Sequence, residues 1–184
     1  MRYTFIMFSW LSKLFKKQGP EIIMIAAIQN DRGIGYQKKL IHNIKDDMKH
    51  FVDRTTPYTI IMGRKNWETI PEKFRPLENR QNIVITRTPH YHALGALVAK
   101  NLQDAITQST SEKIYIIGGG QIYSLGIEIA DTLDLTQIDD TQAADVFFPE
   151  FENDFFLESS SEKNFDEKTG LHYQFQIWKR KKEH

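Results

Sequence analysis

Cysteine is absent from all 184 residues, which excludes a disulfide framework, thiolate catalysis and any Cys-ligated zinc or iron–sulfur site. A reducing cytoplasm is the expected setting, and no metal site is expected. Long hydrophobic runs are missing too. The longest apolar stretch near the start, residues 3–11, covers about half a membrane span and contains Thr4 and Ser9, so no transmembrane helix and no stable membrane association are expected. The Ser12-Lys13-Leu14-Phe15-Lys16-Lys17 that follows lacks the cleavage site of a secretory signal. Net charge is also lacking: 24 Lys and Arg offset 24 Asp and Glu, which argues against a generally basic nucleic-acid binder. The zero is uneven. Residues 1–20 hold Arg2, Lys13, Lys16 and Lys17 and no acid, a charge of +4 that leaves the rest of the chain at −4.

What is present points to one α/β domain. Ile22 to Ile28 is a continuous apolar run with β-branched residues, the pattern of a buried central strand. Similar runs recur at Thr59 to Met62, Asn82 to Thr86 and Ile114 to Ile117. Between them lie helical spacings: Ile44, Met48, Phe51 and Val52; Leu102, Ala105 and Ile106; Ile122, Leu125 and Ile129. Strand–helix alternation implies parallel crossovers. Residues 131–138 and 171–178 alternate apolar and polar, as antiparallel strands with one wetter face do. The expected fold is a central, mostly parallel β-sheet with an antiparallel C-terminal strand, flanked by helices. The expected organisation is a basic amphipathic extension over 1–21 and one domain over 22–184.

Four features can carry chemistry. Asp47 has Ile44 at i−3 and Phe51 at i+4, so on a helix capped by Asn43 it sits on the apolar face, while Asp46 points away toward His50. No cation is read on the Asp47 face. It is either a first-turn acid that favours the helix start or an acid awaiting a ligand's hydrogen-bond donors. Ile117-Gly118-Gly119-Gly120-Gln121-Ile122-Tyr123 delivers three glycines from a strand into a helix. That suits either a tight turn or a backbone cradle for pyrophosphate, although the strict dinucleotide fingerprint fails at Tyr123. Gly63-Arg64-Lys65-Asn66, with Thr86-Arg87 at the end of the next strand, offers cations at one edge of the sheet, where phosphates bind in open α/β folds. Asn30 to Leu40, with Gly33-Ile34-Gly35, is a mobile lid or a plain connection.

These segments, in this order, resemble dihydrofolate reductases from about Met24 to Lys179. The residues that carry the likeness include Asp46-Asp47-Met48-Lys49-His50-Phe51, Met62-Gly63-Arg64-Lys65-Asn66-Trp67-Glu68, Arg75-Pro76-Leu77-Glu78-Asn79-Arg80, Gly118-Gly119-Gly120-Gln121-Ile122-Tyr123 and Leu135-Thr136-Gln137-Ile138-Asp139. The resemblance implies reduction of 7,8-dihydrofolate to tetrahydrofolate with NADPH, supplying one-carbon metabolism. It implies that Asp47, supported by Thr136, binds the pterin, and that Ile25, Met48, Phe51, Ile70 and Ile117 wall the substrate. Arg80, assisted by Arg75, would pair with the glutamate tail. On the cofactor side it implies Ala27, Ile34, Gly35, Gly63, Arg64, Lys65, Asn66, Thr86, Arg87 and Lys100, together with Gly118, Gly119, Gly120, Gln121, Ile122 and Tyr123.

The chain departs from that pattern in three places. His42 replaces the tryptophan usual before the acidic helix, and is expected to face solvent or be partly exposed, or else to hold a catalytic water. Lys45 replaces a proline, and Gln121 stands where a phosphate-binding cation is frequent. Phe8, Leu11, Leu14 and Phe15 mark a basic amphipathic helix outside the resemblance. A monomer is expected, with that extension as a route to an oligomer. The readings that compete are a related-fold reductase acting on another pterin or a pyrimidine, and a nucleotide-binding protein without turnover.

Overall fold

A computed structural model describes residues 19–182; the expected amphipathic helix at 8–15 lies outside them. The apolar runs form the centre of a nine-stranded sheet. Strands β1 (Glu21–Ile28), β4 (Thr59–Gly63), β5 (Gln81–Ile85), β6 (Leu97–Ala99), β7 (Lys113–Ile116) and β8 (Thr132–Ile138) run parallel in the order β8-β1-β7-β4-β5-β6. The alternating C-terminal segment is β12 (Leu171–Arg180), antiparallel to β8. The Phe-rich stretch before it supplies two further antiparallel strands, β10 (Phe155–Ser160) and β11 (Asn164–Asp166), which the sequence pattern did not mark. Both pair with β12 and are too exposed to alternate cleanly.

Period-two burial divides this sheet into two faces. Met24, Ile28, Ile114, Ile116, Leu133 and Leu135 face helices α3 (Leu102–Thr107) and α4 (Gly120–Gly126). Ile23, Ile25, Ile60, Met62 and Tyr115 face α2 (Arg64–Thr69) and the Phe51 side of α1 (Lys45–Thr55). Two helical spacings are corrected. Leu125 and Ile129 are exposed, and α4 instead buries Ile122, Tyr123 and Gly126. On α1, Met48 and Val52 are exposed, because the inner face is shared by Ile44, Asp47, His50, Phe51 and Arg54. The N-cap is Ile44 rather than Asn43 and makes no side-chain cap bond, which leaves Asp46 and Asp47 to serve the positive end of the helix.

The glycine-rich loop after β1 is not a plain connection. Its β2 (Gly33–Tyr36) pairs with β3 (Lys39–Leu40) and with β9 (Val146–Phe147) in a separate three-stranded sheet. Gly33 is required there, since a Cβ would lie 2.6 Å from the Gln29 amide. Among the described residues no helix is long and apolar enough to cross a membrane.

Candidate active site

The C-terminal ends of β1, β4, β5 and β7 meet at one edge of the sheet, where the chain order reverses around β1 and β7. Open α/β sheets bind ligands at such a switch point. Two backbone bonds stitch this edge: Ile117 N donates to Ile61 O (2.9 Å) and Gly63 N to Gly118 O (2.8 Å). The chain then turns through Gly118 at φ +96, where a Cβ would meet the Tyr123 ring at 2.6 Å. Gly119 has nothing within 4 Å of where its Cβ would stand, so its backbone lies open to a ligand. Tyr123 is buried below, its hydroxyl donating to Ile25 O at 2.7 Å; burial, reinforced by the Asp47 charge, pushes that phenol well above the usual range.

Asp47 enters from α1. Its half-buried carboxylate accepts from the Thr136 hydroxyl, so β8 and α1 meet at this pair. Burial pushes the Asp47 carboxyl up, with a smaller push from the Asp134 charge, while the Thr136 bond and the His50 charge pull it down. Around it, Ile25 is buried and Phe51, Ile70 and Ile117 pack partly exposed in the same cluster; Met48 stands at the rim, 42% exposed. Beside Phe51 stands Arg80. Its Nη1 donates to Thr55 Oγ1, its Nε to Glu78 O at 2.9 Å, and its guanidinium lies 5.8 Å from the Phe51 ring centroid. Burial works against the Arg80 charge. Arg75 is turned elsewhere, over Trp67 at 5.5 Å and beside Glu72 at 3.5 Å.

Asp47 with Thr136, the apolar cluster of Ile25, Phe51, Ile70 and Ile117, Arg80 beside Phe51 and the open glycine turn together form the candidate ligand site. The model of the family described as dihydrofolate reductase matches residues 21–180. The chain belongs to the dihydrofolate reductase family. It is 36% identical over 162 residues to the dihydrofolate reductase of Bacillus subtilis (strain 168), covering 87% of this chain and 95% of that one. It is 34% identical over 156 residues to that of Neisseria meningitidis serogroup B, covering 84% and 95%, and 37% identical over 131 residues to dihydrofolate reductase type 3 of Salmonella typhimurium, covering 71% and 79%.

Within this dihydrofolate reductase fold the other expected residues fall as follows. Asn66 Nδ2 donates to Ile117 O (2.9 Å), tying α2 to the glycine turn, and Ile122 packs 3.0 Å from where a Gly63 Cβ would be. Arg64 pairs with Glu68 (3.1 Å) and lies 5.8 Å from the Tyr91 ring centroid. Thr86 is buried, and Lys65, Arg87, Lys100 and Gln121 are exposed. Ala27 and Ile34 are half-buried on β1 and β2, and Gly35 is buried opposite Leu40 and Val146.

Two expectations need correction. His42 is not solvent-facing: its side chain is 6% exposed, with Nε2 3.2 Å from Gln29 Oε1 and 3.9 Å from Asp140. Gln29 also accepts from Gln142 N and donates to Gln142 O, so the imidazole is drawn into the joint between the two loops, and this burial lowers its proton affinity. Second, the Asp47 face of α1 does carry cations. His50 and Arg54, at i+3 and i+7, both contact Asp134 of β8, while Asp46 accepts from Tyr173 Oη at 2.8 Å. The sequence signal was there to read: a carboxylate two residues before Thr136, set between Leu133 and Leu135.

Proposed function

We propose that this enzyme reduces 7,8-dihydrofolate to 5,6,7,8-tetrahydrofolate with NADPH, supplying one-carbon metabolism. The observation that carries the reading is Asp47: a half-buried carboxylate on the inner face of α1, braced by Thr136 and beside the apolar cluster. Its acceptor oxygens suit the pterin 2-amino group and the adjacent ring nitrogen, and its charge favours a protonated pterin. Asp47 is not the direct donor to nitrogen 5; water delivers that proton. Ile25, Phe51, Ile70 and Ile117, with Met48 at the rim, exclude bulk water from the ring and hold its face. Arg80, held by Thr55, takes the substrate's tail carboxylate, which offsets the burial acting on its charge. Arg75, engaged with Trp67 and Glu72, assists at most by its positive field.

NADPH, when bound, supplies the hydride to pterin carbon 6. The residues here fit it. The Gly119 position leaves backbone open where a pyrophosphate needs close approach, and Gly118, Gly120, Gln121 and Ile122 continue that turn. Arg64, Lys65 and Arg87, beside Thr86 and Lys100, suit a 2′-phosphate that carries about two negative charges. Gly63 and Asn66 hold the strand ends that carry these groups, and Ala27, Ile34, Gly35 and Tyr123 would help to hold the rest of the cofactor. His42 is assigned to this lid joint rather than to water in the site.

The decisive measurement is the loss of NADPH absorbance with dihydrofolate as the trigger. Turnover that collapses in Asp47→Asn while NADPH binding persists is the expected result. Full activity in that variant removes Asp47 from the reaction, and NADPH binding with no reduction by the parent protein favours a binding protein instead.

A further inference from the structure

Asp134 is a carboxylate in a strand position that an apolar residue would fill without difficulty. Its side chain is 0% exposed, and its two oxygens are divided between two partners: Oδ1 to His50 Nε2 at 2.8 Å and Oδ2 to Arg54 Nε at 2.5 Å. An ionised carboxylate only accepts, so the hydrogen in the first contact lies on Nε2. The imidazole is clamped by Phe175 of β12, with ring centroids 4.2 Å apart and planes 18° off parallel. Stability alone does not account for the arrangement, since apolar residues of similar volume generally replace a buried ion pair without loss.

What distinguishes the cluster is its neighbour. Asp47, His50 and Arg54 follow one another along one face of α1, and Asp134 and Thr136 along the facing side of β8, so both carboxylates lie in one polar strip. Asp134 and His50 act on Asp47 with opposite signs. The other groups are accounted for. Thr136 bonds Asp47, the Tyr123 and Tyr173 phenols feel its charge, and Tyr173 donates to Asp46 on the outer side of α1. Tyr115 of β7 lies in the field of both Asp134 and Arg54, and Glu21 of β1 acts on Arg54.

We propose that His50 and Asp134, the latter anchored by Arg54, are positioning residues that set the proton affinity of Asp47 and thereby the pH range of the reductive step. The proposal rests on Asp47 being the pterin-binding acid. The field of His50 opposes protonation of Asp47 and that of Asp134 promotes it.

The test is a carbon-13 NMR titration of the ligand-free, full-length protein, with the Asp47 carboxyl identified by its loss in Asp47→Asn. Asp134→Asn removes the like charge and releases Arg54; the Asp47 midpoint is expected to fall by roughly half a pH unit or more. His50→Gln keeps a neutral donor for Asp134 and is expected to raise the midpoint by a similar amount. Asp134→Glu, which keeps the charge, is expected to leave it near the parent value. The alkaline limb of hydride transfer moves in the same sense as the midpoint in each variant. Shifts of the same sign in the Asn and Gln variants, or none in either, overturn the proposal. If Asp134→Asn does not fold, an unmoved midpoint in His50→Gln is sufficient to do so. The titration needs no turnover, so a protein inactive on dihydrofolate refutes the functional reading separately.

Discussion

Asp47 is held in a conflict that its two main variants expose. Burial raises its folded pKa above the unfolded value, so as pH rises through that window the native state keeps its proton longer and folding stability falls. Asp47→Asn is therefore expected to lower kcat/KM by roughly 10²–10⁴-fold while raising Tm at neutral pH. Steady-state kinetics and a thermal melt on one preparation check both halves, and a lower Tm contradicts the burial argument. Arg80, as the proposed partner of the substrate's tail carboxylate, would make the opposite kind of contribution, a contact equal in ground and transition states. Arg80→Lys, which loses the planar fork, should raise KM for dihydrofolate about 10–100-fold with kcat little changed. The sequence offered both as candidates: Asp47 as an acid on an apolar helical face, either a first-turn acid or a ligand acid, and Arg80 through family resemblance. What holds them was not legible there, because the Thr55 contact joins residues 25 positions apart and the Thr136 contact joins two elements that meet only in the folded chain.

At the level of elements, α1 against β8 is an ionic seam set into an apolar sandwich. Its two sides are unequal in exposure: Asp134 is sealed, whereas Arg54 is 42% exposed. Arg54→Leu strands a buried carboxylate with one remaining partner, at about 2–4 kcal/mol, while Asp134→Asn leaves a guanidinium that water can reach, at about 1–2 kcal/mol. Urea unfolding should rank them in that order. The glycine turn before α4 offers a second contrast. Gly119→Ala meets open space and should leave Tm within about 2 °C of the parent while raising KM for NADPH. Gly118→Ala forces a Cβ into Tyr123 at a positive φ and should destabilise the fold itself. The turn was visible as three consecutive glycines, but which one serves backbone conformation and which leaves room for a ligand was not. The seam was missed for a related reason: periodicity assigns Met48 and Val52 inward, and it is His50 and Arg54 that meet Asp134 of β8 instead.

Across the whole molecule, the described site begins at Ile25, and removal of residues 1–18 is expected to leave kcat/KM within about twofold of the parent. A larger loss would assign the basic segment a part in the reaction. Alkaline stability depends on phenols in three elements. Tyr115 and Tyr173 are pushed up to about 12 by burial, and Tyr123 higher still, so the native state holds protons that the unfolded chain releases near pH 10. Stability should decline as pH rises from about 10 to 12, and urea midpoints taken across that range would show it. The sequence by itself determined the α/β class, the parallel core strands and the residue types along the ligand edge, because burial of a strand writes its period locally. Only the tertiary structure decided that β10 and β11 extend the sheet, that His42 turns into the loop joint, and that Asp134 meets Asp47's helix. Each of these depends on which other segment comes to lie alongside, and hydrophobic period carries no record of that partner.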